Sequence, residues 1–331
     1  FATRAVHGGL PEPQGLESIT TPIACTSTFR FATLGDAIAQ VEGVSERAEY
    51  SRYENPTIRT AEERLSALEG AQDTALFASG MAAVTTTLMA LVGQGGHVVL
   101  SSDCYRPTEQ FVRHTLARFG VEHTLVAPDD YAAFERAIDP GRTRVVFTET
   151  PTNPYQNVAD LERLGEIVRG HRGVQLVVDA TFATPFNLRA LEHGASLVIQ
   201  SATKYLGGHN DLLAGSVSGR AGLVSMVREL RGQLGPCADP HAAYLLLRGL
   251  KSFPARMAQH NRSAQAIAEW LEDHASVERV YYPGLASHPH HELAARTMKG
   301  YGGVVTFLHR GDFAATHALC DACELFQIGA S

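Results

Sequence analysis

A lysine in the middle of the chain has the sequence surroundings expected of a reactive residue. Lys204 lies in the stretch Ser201 to Asp211, directly after the apolar run 197–199, where a buried strand is predicted to end. Two hydroxyls precede it and a glycine pair follows it. A free lysine amine has a pKa near ~10.4 and is inert at neutral pH, so a catalytic lysine needs desolvation or a covalent carbonyl partner.

Pyridoxal phosphate (PLP) is the commonest carbonyl partner of such a lysine, and it needs an acid or another partner at its pyridine nitrogen. Asp179 lies in the predicted strand 175–180, and burying an aspartate there costs on the order of several kcal/mol unless a cation faces it. A protonated pyridine would be that cation. On its own, Asp179 could equally be a helix cap or a metal ligand.

A second cluster predicts a seat for a phosphate. The apolar strand 75–77 is followed by small residues and a helix, which places the amides of Gly80 and Met81 at a positive helix terminus. Ser201 and Thr203 can direct their hydroxyls toward the same anion. The sequence contains no G-x-G-x-x-G or Walker loop, so a dinucleotide or triphosphate has no predicted cradle.

Aromatic residues occur at two further candidate positions. Tyr105 follows the predicted strand 98–102, where it could stack on a planar ring or relay a proton; core packing is the alternative. Arg52 lies between Tyr50 and Tyr53 in a polar loop, where it could clamp an anion or simply lie at the surface.

Two other kinds of site are disfavoured by the residue pattern. The segment Gly215 to Gly219 resembles a nucleophile elbow only loosely, because the serine is not at the central position, so a serine hydrolase is not expected. His288, His290 and His291 have no cysteine or carboxylate set to complete a metal site, and we expect solvated histidines there.

The composition is typical of a globular protein that acts on small molecules. The 331 residues carry a net charge of -7 with scattered basic residues, which disfavours nucleic-acid and membrane partners. No apolar run reaches the roughly 18 residues of a membrane span, and the first residues lack a signal-peptide pattern. The five cysteines are odd in number and widely spread, so we expect a reducing, cytoplasmic location.

The alternation of apolar strands with amphipathic helices predicts an α/β fold with a large, mainly parallel sheet covered on both faces. Helices are predicted near 238–250 and 253–274, the second leading into a smaller domain. We predict an N-terminal arm (1–49), a large domain (50–250) and a small C-terminal α/β domain (251–331) whose sheet we expect to be incomplete at the end of this sequence. Ligands bind such sheets beyond the carboxyl ends of their strands, where Glu149 to Asn153, Asp179 and Lys204 lie.

These motifs together resemble the Cys/Met-metabolism family of PLP enzymes of fold type I, which are aspartate-aminotransferase-like. The resemblance runs from Val6 to Val305. It implies PLP as the cofactor, with Lys204 as the Schiff-base residue and Asp179 at the pyridine nitrogen. The other matching positions are the phosphate-cup residues, the stacking tyrosine and the asparagine near the 3-hydroxyl of the cofactor: Gly80, Met81, Ser201, Thr203, Tyr105 and Asn153.

The same resemblance implies an assembly and a reaction class. Tyr50 and Arg52 would reach the phosphate of the neighbouring subunit, which implies a homodimer with shared active sites, normally paired into a homotetramer. The expected reaction is γ-elimination or γ-replacement on cystathionine-like amino acids, with Lys204 and Tyr105 as catalytic residues. Close alternatives are a methionine γ-lyase, a cystathionine β-lyase and an O-acylhomoserine sulfhydrylase; a non-catalytic assembly protein that keeps the fold is an alternative of another class.

Overall fold

The computed structural model describes residues 1–8, 18–44 and 47–329. The strands are β1 (Asp73–Phe77), β2 (His97–Ser101), β3 (Glu122–Val126), β4 (Thr143–Glu149), β5 (Gln175–Asp179), β6 (Leu197–Gln200), β7 (Gly215–Gly219), β8 (Val277–Tyr281) and β9 (Thr306–His309). The helices are α1 (Ala2–His7), α2 (Leu34–Val41), α3 (Pro56–Glu69), α4 (Gly80–Leu91), α5 (Arg106–Gln110), α6 (Tyr131–Ala137), α7 (Leu161–Arg169), α8 (Thr184–Asn187), α9 (Ala221–Leu234), α10 (Pro240–Glu272), α11 (His291–Thr297) and α12 (Phe313–Asp321).

The large sheet is mainly parallel, as predicted. Its seven strands follow the order β1-β7-β6-β5-β4-β2-β3, and β7 alone runs opposite to the other six. Alternate residues of β4 enter different cores: Val145 and Phe147 pack on the side of α4, and Val146 packs on the side of α6 and α7. Both faces of the sheet are therefore buried, which explains why its strands are near-continuous apolar runs.

One long helix replaces the two predicted from the sequence. Helix α10 runs unbroken for 33 residues through Pro254. Leu250, Phe253 and Met257, on both sides of this proline, belong to one buried cluster that also contains residues of α1 and α3. This burial outweighs the roughly 3 kcal/mol that a proline costs inside a helix.

The C-terminal half of α10 packs on the small sheet. Ala268 and Leu271 share a buried cluster with Val280 of β8 and with Tyr282. Strands β8 and β9 pair antiparallel.

The N-terminal arm contains two short helices that the sequence pattern did not predict. Helix α1 buries Ala5 against α3 and α10, whereas α2 buries none of its residues. A capping box between Thr33 and Asp36 starts α2, and two such reciprocal hydrogen bonds stabilise a helix that lacks packing. The predicted arm also includes residues 9–17 and 45–46, which lie outside the described residues.

A buried ion cluster joins α3, β1 and α9. Glu62, which is 1% exposed, accepts hydrogen bonds from the amide of Leu76 (2.8 Å) and from Arg231 (2.7 Å), and it also pairs with Arg228. Arg231 is 2% exposed and donates to the carbonyl oxygens of Leu76 (2.7 Å) and Tyr53 (3.2 Å). The cluster thus holds the loop at Tyr53 against the first strand.

Replacing Glu62 by glutamine should destabilise the fold by about 3 to 5 kcal/mol, because the guanidinium of Arg231 is then buried without an anionic partner. Urea unfolding would measure this loss. The neighbouring Glu63 pairs with Arg59 at a partly exposed position, so Glu63→Gln is the matched control and should change the free energy of unfolding by about 0.5 kcal/mol or less. Equally small losses in the free energy of unfolding in both variants would contradict a stabilising role of the ion cluster.

Candidate active site

A cavity of about 750 Å³ opens at the carboxyl ends of the central strands β4, β5 and β6. Most of the site residues predicted from the sequence line it. These are Gly80, Met81, Tyr105, Asn153, Asp179, Ser201, Thr203 and Lys204. The topology brings them together because neighbouring parallel strands end at one edge of the sheet.

Lys204 lies in a tight turn that follows β6. Its amide donates to the carbonyl of Ser201 (3.1 Å), and its carbonyl accepts from the amide of Gly208 (2.8 Å). Burial lowers the pKa of the Lys204 amine below its ordinary value. A larger fraction of the amine is therefore unprotonated, and available as a nucleophile or base, than in an exposed lysine.

Helix α10 supports the far side of this turn. The guanidinium of Arg256 donates to the carbonyls of Tyr205 (2.8 Å) and Gly249 (3.0 Å). A Cβ at Gly249 would lie 2.2 Å from the carbonyl oxygen of Gly207, so only glycine allows the helix to approach the turn this closely. The sequence pattern did not indicate a role for Arg256, which also lines the cavity.

Asp179 ends β5 at the floor of the cavity and is 9% exposed. Its Oδ1 accepts hydrogen bonds from the amide (3.0 Å) and the hydroxyl (2.6 Å) of Thr181. Burial raises the pKa of the Asp179 carboxyl, and the two bonds from Thr181 act in the opposite direction. A cation in the cavity would stabilise the ionised carboxylate further.

The predicted phosphate seat lies at the start of α4. The side chain of Ser79 caps this helix by accepting from the amide of Ala82 (3.1 Å). The amides of Gly80 and Met81 are in the first turn, where helical N–H groups have no partner within the helix. A Cβ at Gly80 would lie 2.9 Å from the Cβ of Ser201, so glycine is required for the two segments to meet.

Thr203 makes different contacts from those expected. Its hydroxyl donates to the carbonyl of Ala214 (3.2 Å) and accepts from the amide of the same residue (3.0 Å). This pair of bonds holds the turn of Lys204 to the strand that follows. The side chain lines the cavity, but its proton is directed to the backbone.

Tyr105 and Asn153 are joined through Glu149, the last residue of β4. Glu149 accepts from the amide of Tyr105 (2.6 Å) and from the amide of Asn153 (3.0 Å). The Tyr105 side chain is 45% exposed, at the cavity wall rather than in the core. Burial and the nearby carboxyl of Asp179 raise the pKa of Glu149 well above its ordinary value.

Tyr50 and Arg52 do not line this cavity. Arg52 stacks on the rings of Tyr50 and Tyr53, with its Cζ 5.3 and 4.4 Å from their centroids, and donates to the carbonyl of Gly232. Tyr50 is 40% exposed. Their expected contact is with a neighbouring subunit, and it stays a prediction.

Sequence reasoning missed one polar residue at the site besides Arg256, namely Thr181. Thr181 donates to Asp179 and accepts from the amide of Ser201 (2.8 Å), so it connects the ends of β5 and β6. Its position two residues after a strand-end aspartate is a sequence signal from which the contact of Thr181 with Asp179 could have been predicted. Glu149 was recognised as a strand-end residue, but its bonds to two backbone amides leave no mark on the residue pattern.

The histidine cluster differs from the sequence prediction. His288 is 3% exposed rather than solvated, and Nδ1 of His290 accepts from the amide of Val158 (3.0 Å). These contacts fasten the loop after Asn153 to the segment before α11.

In the described part of the chain, no group of three or more His, Cys, Asp or Glu residues is arranged to hold a metal ion. Among the described helices, none has both the length and the apolar character needed to cross a membrane.

Comparisons with known proteins agree with these features. The chain is 45% identical over 328 residues to "Cystathionine gamma-synthase 1, chloroplastic" of Arabidopsis thaliana, with 98% of this chain and 58% of that protein covered. It covers 61% of the corresponding protein of Nicotiana tabacum, so it spans less than two thirds of the length of either plant protein. It is 40% identical over 329 residues to L-methionine gamma-lyase of Pseudomonas putida, with 99% of this chain and 82% of that protein covered.

The crystal structure of metB from Corynebacterium glutamicum matches the whole fold. The TM-score is 0.94 at 34% identity, with 100% of this chain and 84% of that chain covered, and the predicted PLP fold type I is thereby confirmed. The family model for "Cys/Met metabolism PLP-dependent enzyme" matches residues 2–331. Sequence motifs, fold and relatives therefore agree, and the chain belongs to the Cys/Met metabolism family of PLP-dependent enzymes.

Proposed function

We propose that this chain holds PLP on Lys204 and catalyses γ-elimination or γ-replacement on cystathionine-like sulfur amino acids. One observation carries the proposal: a lysine amine of lowered pKa shares a cavity with a buried aspartate and an anion seat at a helix N-terminus. The relatives named as synthases and lyases of such amino acids support the reaction class.

The residues present fit this cofactor. The close approach of Gly80 to Ser201, which a side chain at position 80 would prevent, brings the Ser201 hydroxyl beside the first amides of α4, and donors of both kinds can bind a phosphate. Gly80, Met81, Ser201 and Thr203 would hold the phosphate, Thr203 by turning its hydroxyl proton from the carbonyl of Ala214 to the anion, and Asp179 would hold the proton on the pyridine nitrogen. Tyr105 would lie on the ring and Asn153 near its hydroxyl. A volume of about 750 Å³ is within the range of cofactor and ligand sites.

PLP supplies an electron sink for the Cα of the amino acid joined to it. The residues of this chain supply the proton transfers. Lys204, once released, takes the proton from Cα, and its lowered pKa makes the neutral amine available for this step. Tyr105, half exposed at the cavity wall, can accept a proton from the incoming substrate ammonium or assist the departing group.

The fate of the γ-carbon separates the candidate activities. A proton leaves the β-carbon, the electron pair of that C–H bond forms a double bond to the γ-carbon, and the substituent leaves the γ-carbon with the electrons of its own bond. In a γ-replacement, the sulfur of a thiol then forms the new bond to the γ-carbon and the thiol gives up its proton. In a γ-elimination one water is consumed, and the products besides the released substituent are a 2-oxo acid and ammonia. The similarity to L-methionine gamma-lyase keeps methionine among the candidate substrates.

We also propose a homodimer with shared active sites, paired into a homotetramer, in a cytoplasmic location. Tyr50 and Arg52 support the dimer, because both lie in an exposed loop outside the cavity of their own chain. The buried contact of Arg231 with the carbonyl of Tyr53 fixes this loop, so that Arg52 could be presented to a neighbouring phosphate. The domain limits 1–49, 50–250 and 251–331 are part of the same proposal.

Lys204→Ala should abolish the covalent adduct and lower turnover at least ~10³-fold, because no other cavity residue can form the bond to the cofactor. Borohydride reduction followed by peptide mapping would locate the adduct among the three lysines of the chain, Lys204, Lys251 and Lys299. Lys251→Ala, at an exposed position of α10, is the matched control and should keep the adduct. Absence of any adduct on the unmodified enzyme would favour the non-catalytic assembly protein.

The substrate class can be determined with four assays on the purified enzyme. Cystathionine, methionine and O-activated homoserine, the last with and without cysteine, should separate a lyase from a synthase or sulfhydrylase. We expect turnover of cystathionine or its formation from activated homoserine and cysteine. Pyruvate from cystathionine would identify a β-lyase, and turnover of none of these compounds would refute the assignment.

Mixing two inactive variants would test the shared active site. Arg52→Ala and Lys204→Ala subunits should each be inactive, whereas a mixed dimer holds one site with both changes and one site with neither. Statistical mixing should therefore restore about a quarter of the activity of the unmodified enzyme. If Arg52 acted within its own subunit, both sites of the mixed dimer would be damaged and no activity would return.

A further inference from the structure

A buried carboxyl group lies between the candidate catalytic residues. Glu149 is 6% exposed and lines the cavity. It ends β4 directly beside Asp179, its register partner on β5. Two acidic side chains therefore meet at neighbouring strand ends.

Both oxygens of Glu149 are used by residues of the site. Oε2 accepts from the amide of Tyr105 at 2.6 Å, and Oε1 accepts from the amide of Asn153 at 3.0 Å. One carboxyl group thereby sets the backbone at the two positions proposed to contact the ring and the hydroxyl of the cofactor. A shift of either backbone would move the attached side chain by a similar distance.

A second carboxylate joins the same two loops from outside the cavity. Asp103 accepts from the hydroxyl of Thr152 (2.6 Å) and from the amide group of Asn157 (2.6 Å). It does not line the cavity, and its contacts avoid the backbone of Tyr105 and Asn153. Asp103 thus already ties these two loops together, whereas Glu149 bonds directly to the backbone of the site residues Tyr105 and Asn153.

The charged groups around Glu149 do not stabilise a carboxylate at this position. Among the described residues it makes no ion pair, and the acidic groups facing it are Asp179 and Asp103. Burial and Asp179 raise the pKa of Glu149 well above its ordinary value, so this environment works against its ionisation. Burying a carboxyl group without a cationic partner is costly, so the hydrogen bonds to the two backbone amides better explain the presence of Glu149 at this position.

We propose that Glu149 is a positioning residue, which holds the backbone amides of Tyr105 and Asn153 and so sets their side chains against the bound cofactor. This inference rests on the proposed function, since it takes PLP as the occupant of the cavity.

Graded replacement of Glu149 in the PLP-loaded enzyme tests this role. Glutamine keeps one acceptor oxygen for two amides, and alanine keeps none. We expect the dissociation constant for PLP to rise about tenfold in Glu149→Gln and about a hundredfold in Glu149→Ala. The visible circular dichroism of the lysine-bound cofactor, which reports the orientation of its ring, should change in the same order.

Glu109→Gln is the matched control, because Glu109 lies in the segment just after Tyr105 but pairs with Arg113 outside the cavity. It should leave both readouts unchanged, and thermal unfolding would show whether each variant is folded. Unchanged affinity and dichroism in Glu149→Gln would overturn the inference, even if Glu149→Ala failed to fold. Absence of a borohydride-trapped adduct in the unmodified enzyme would refute the proposed function instead, so the two failures are distinguishable.

Discussion

The parallel pairing of β4, β5 and β6 is the constraint on which the site depends. In-register pairing places Glu149 beside Asp179 and Asp179 beside Ile199, so all three strands end at nearly one level. The turn of Lys204 begins immediately beyond this level. The sheet thus determines the spacing between the Lys204 turn and the carboxyl groups of Asp179 and Glu149. Apolar packing of both sheet faces keeps that spacing fixed.

Backbone and hydroxyl donors, rather than cations, hold the two buried acids of the cavity, Asp179 and Glu149. Asp179 is held by Thr181, and Glu149 is held by two loop amides. This arrangement orders the loops without neutralising the cavity. It leaves the carboxyl of Asp179 in need of a positive partner, which matches the cofactor chemistry of the family.

Much of the fold and of the site could be predicted from the sequence, because buried parallel strands are near-continuous apolar runs and chemistry-bearing residues follow them directly. The positions of Asp179 and Lys204 relative to such runs were sufficient to place both in one cavity. The continuity of α10 through Pro254 could not be predicted, since it depends on tertiary packing that outweighs a local preference. Contacts made to backbone atoms, such as those of Glu149 and Arg256, also leave no periodicity or motif by which a sequence could reveal them.

The long helix α10 has a mechanical consequence. At 1.5 Å per residue, a helix of 33 residues is a rod of about 50 Å. Its N-terminal half touches the turn of Lys204 through Gly249 and Arg256, and its C-terminal half packs on the small sheet. The turn of Lys204 and the small sheet are therefore held by one continuous helix. The alignment between them is therefore established when the chain folds, before any ligand enters the cavity.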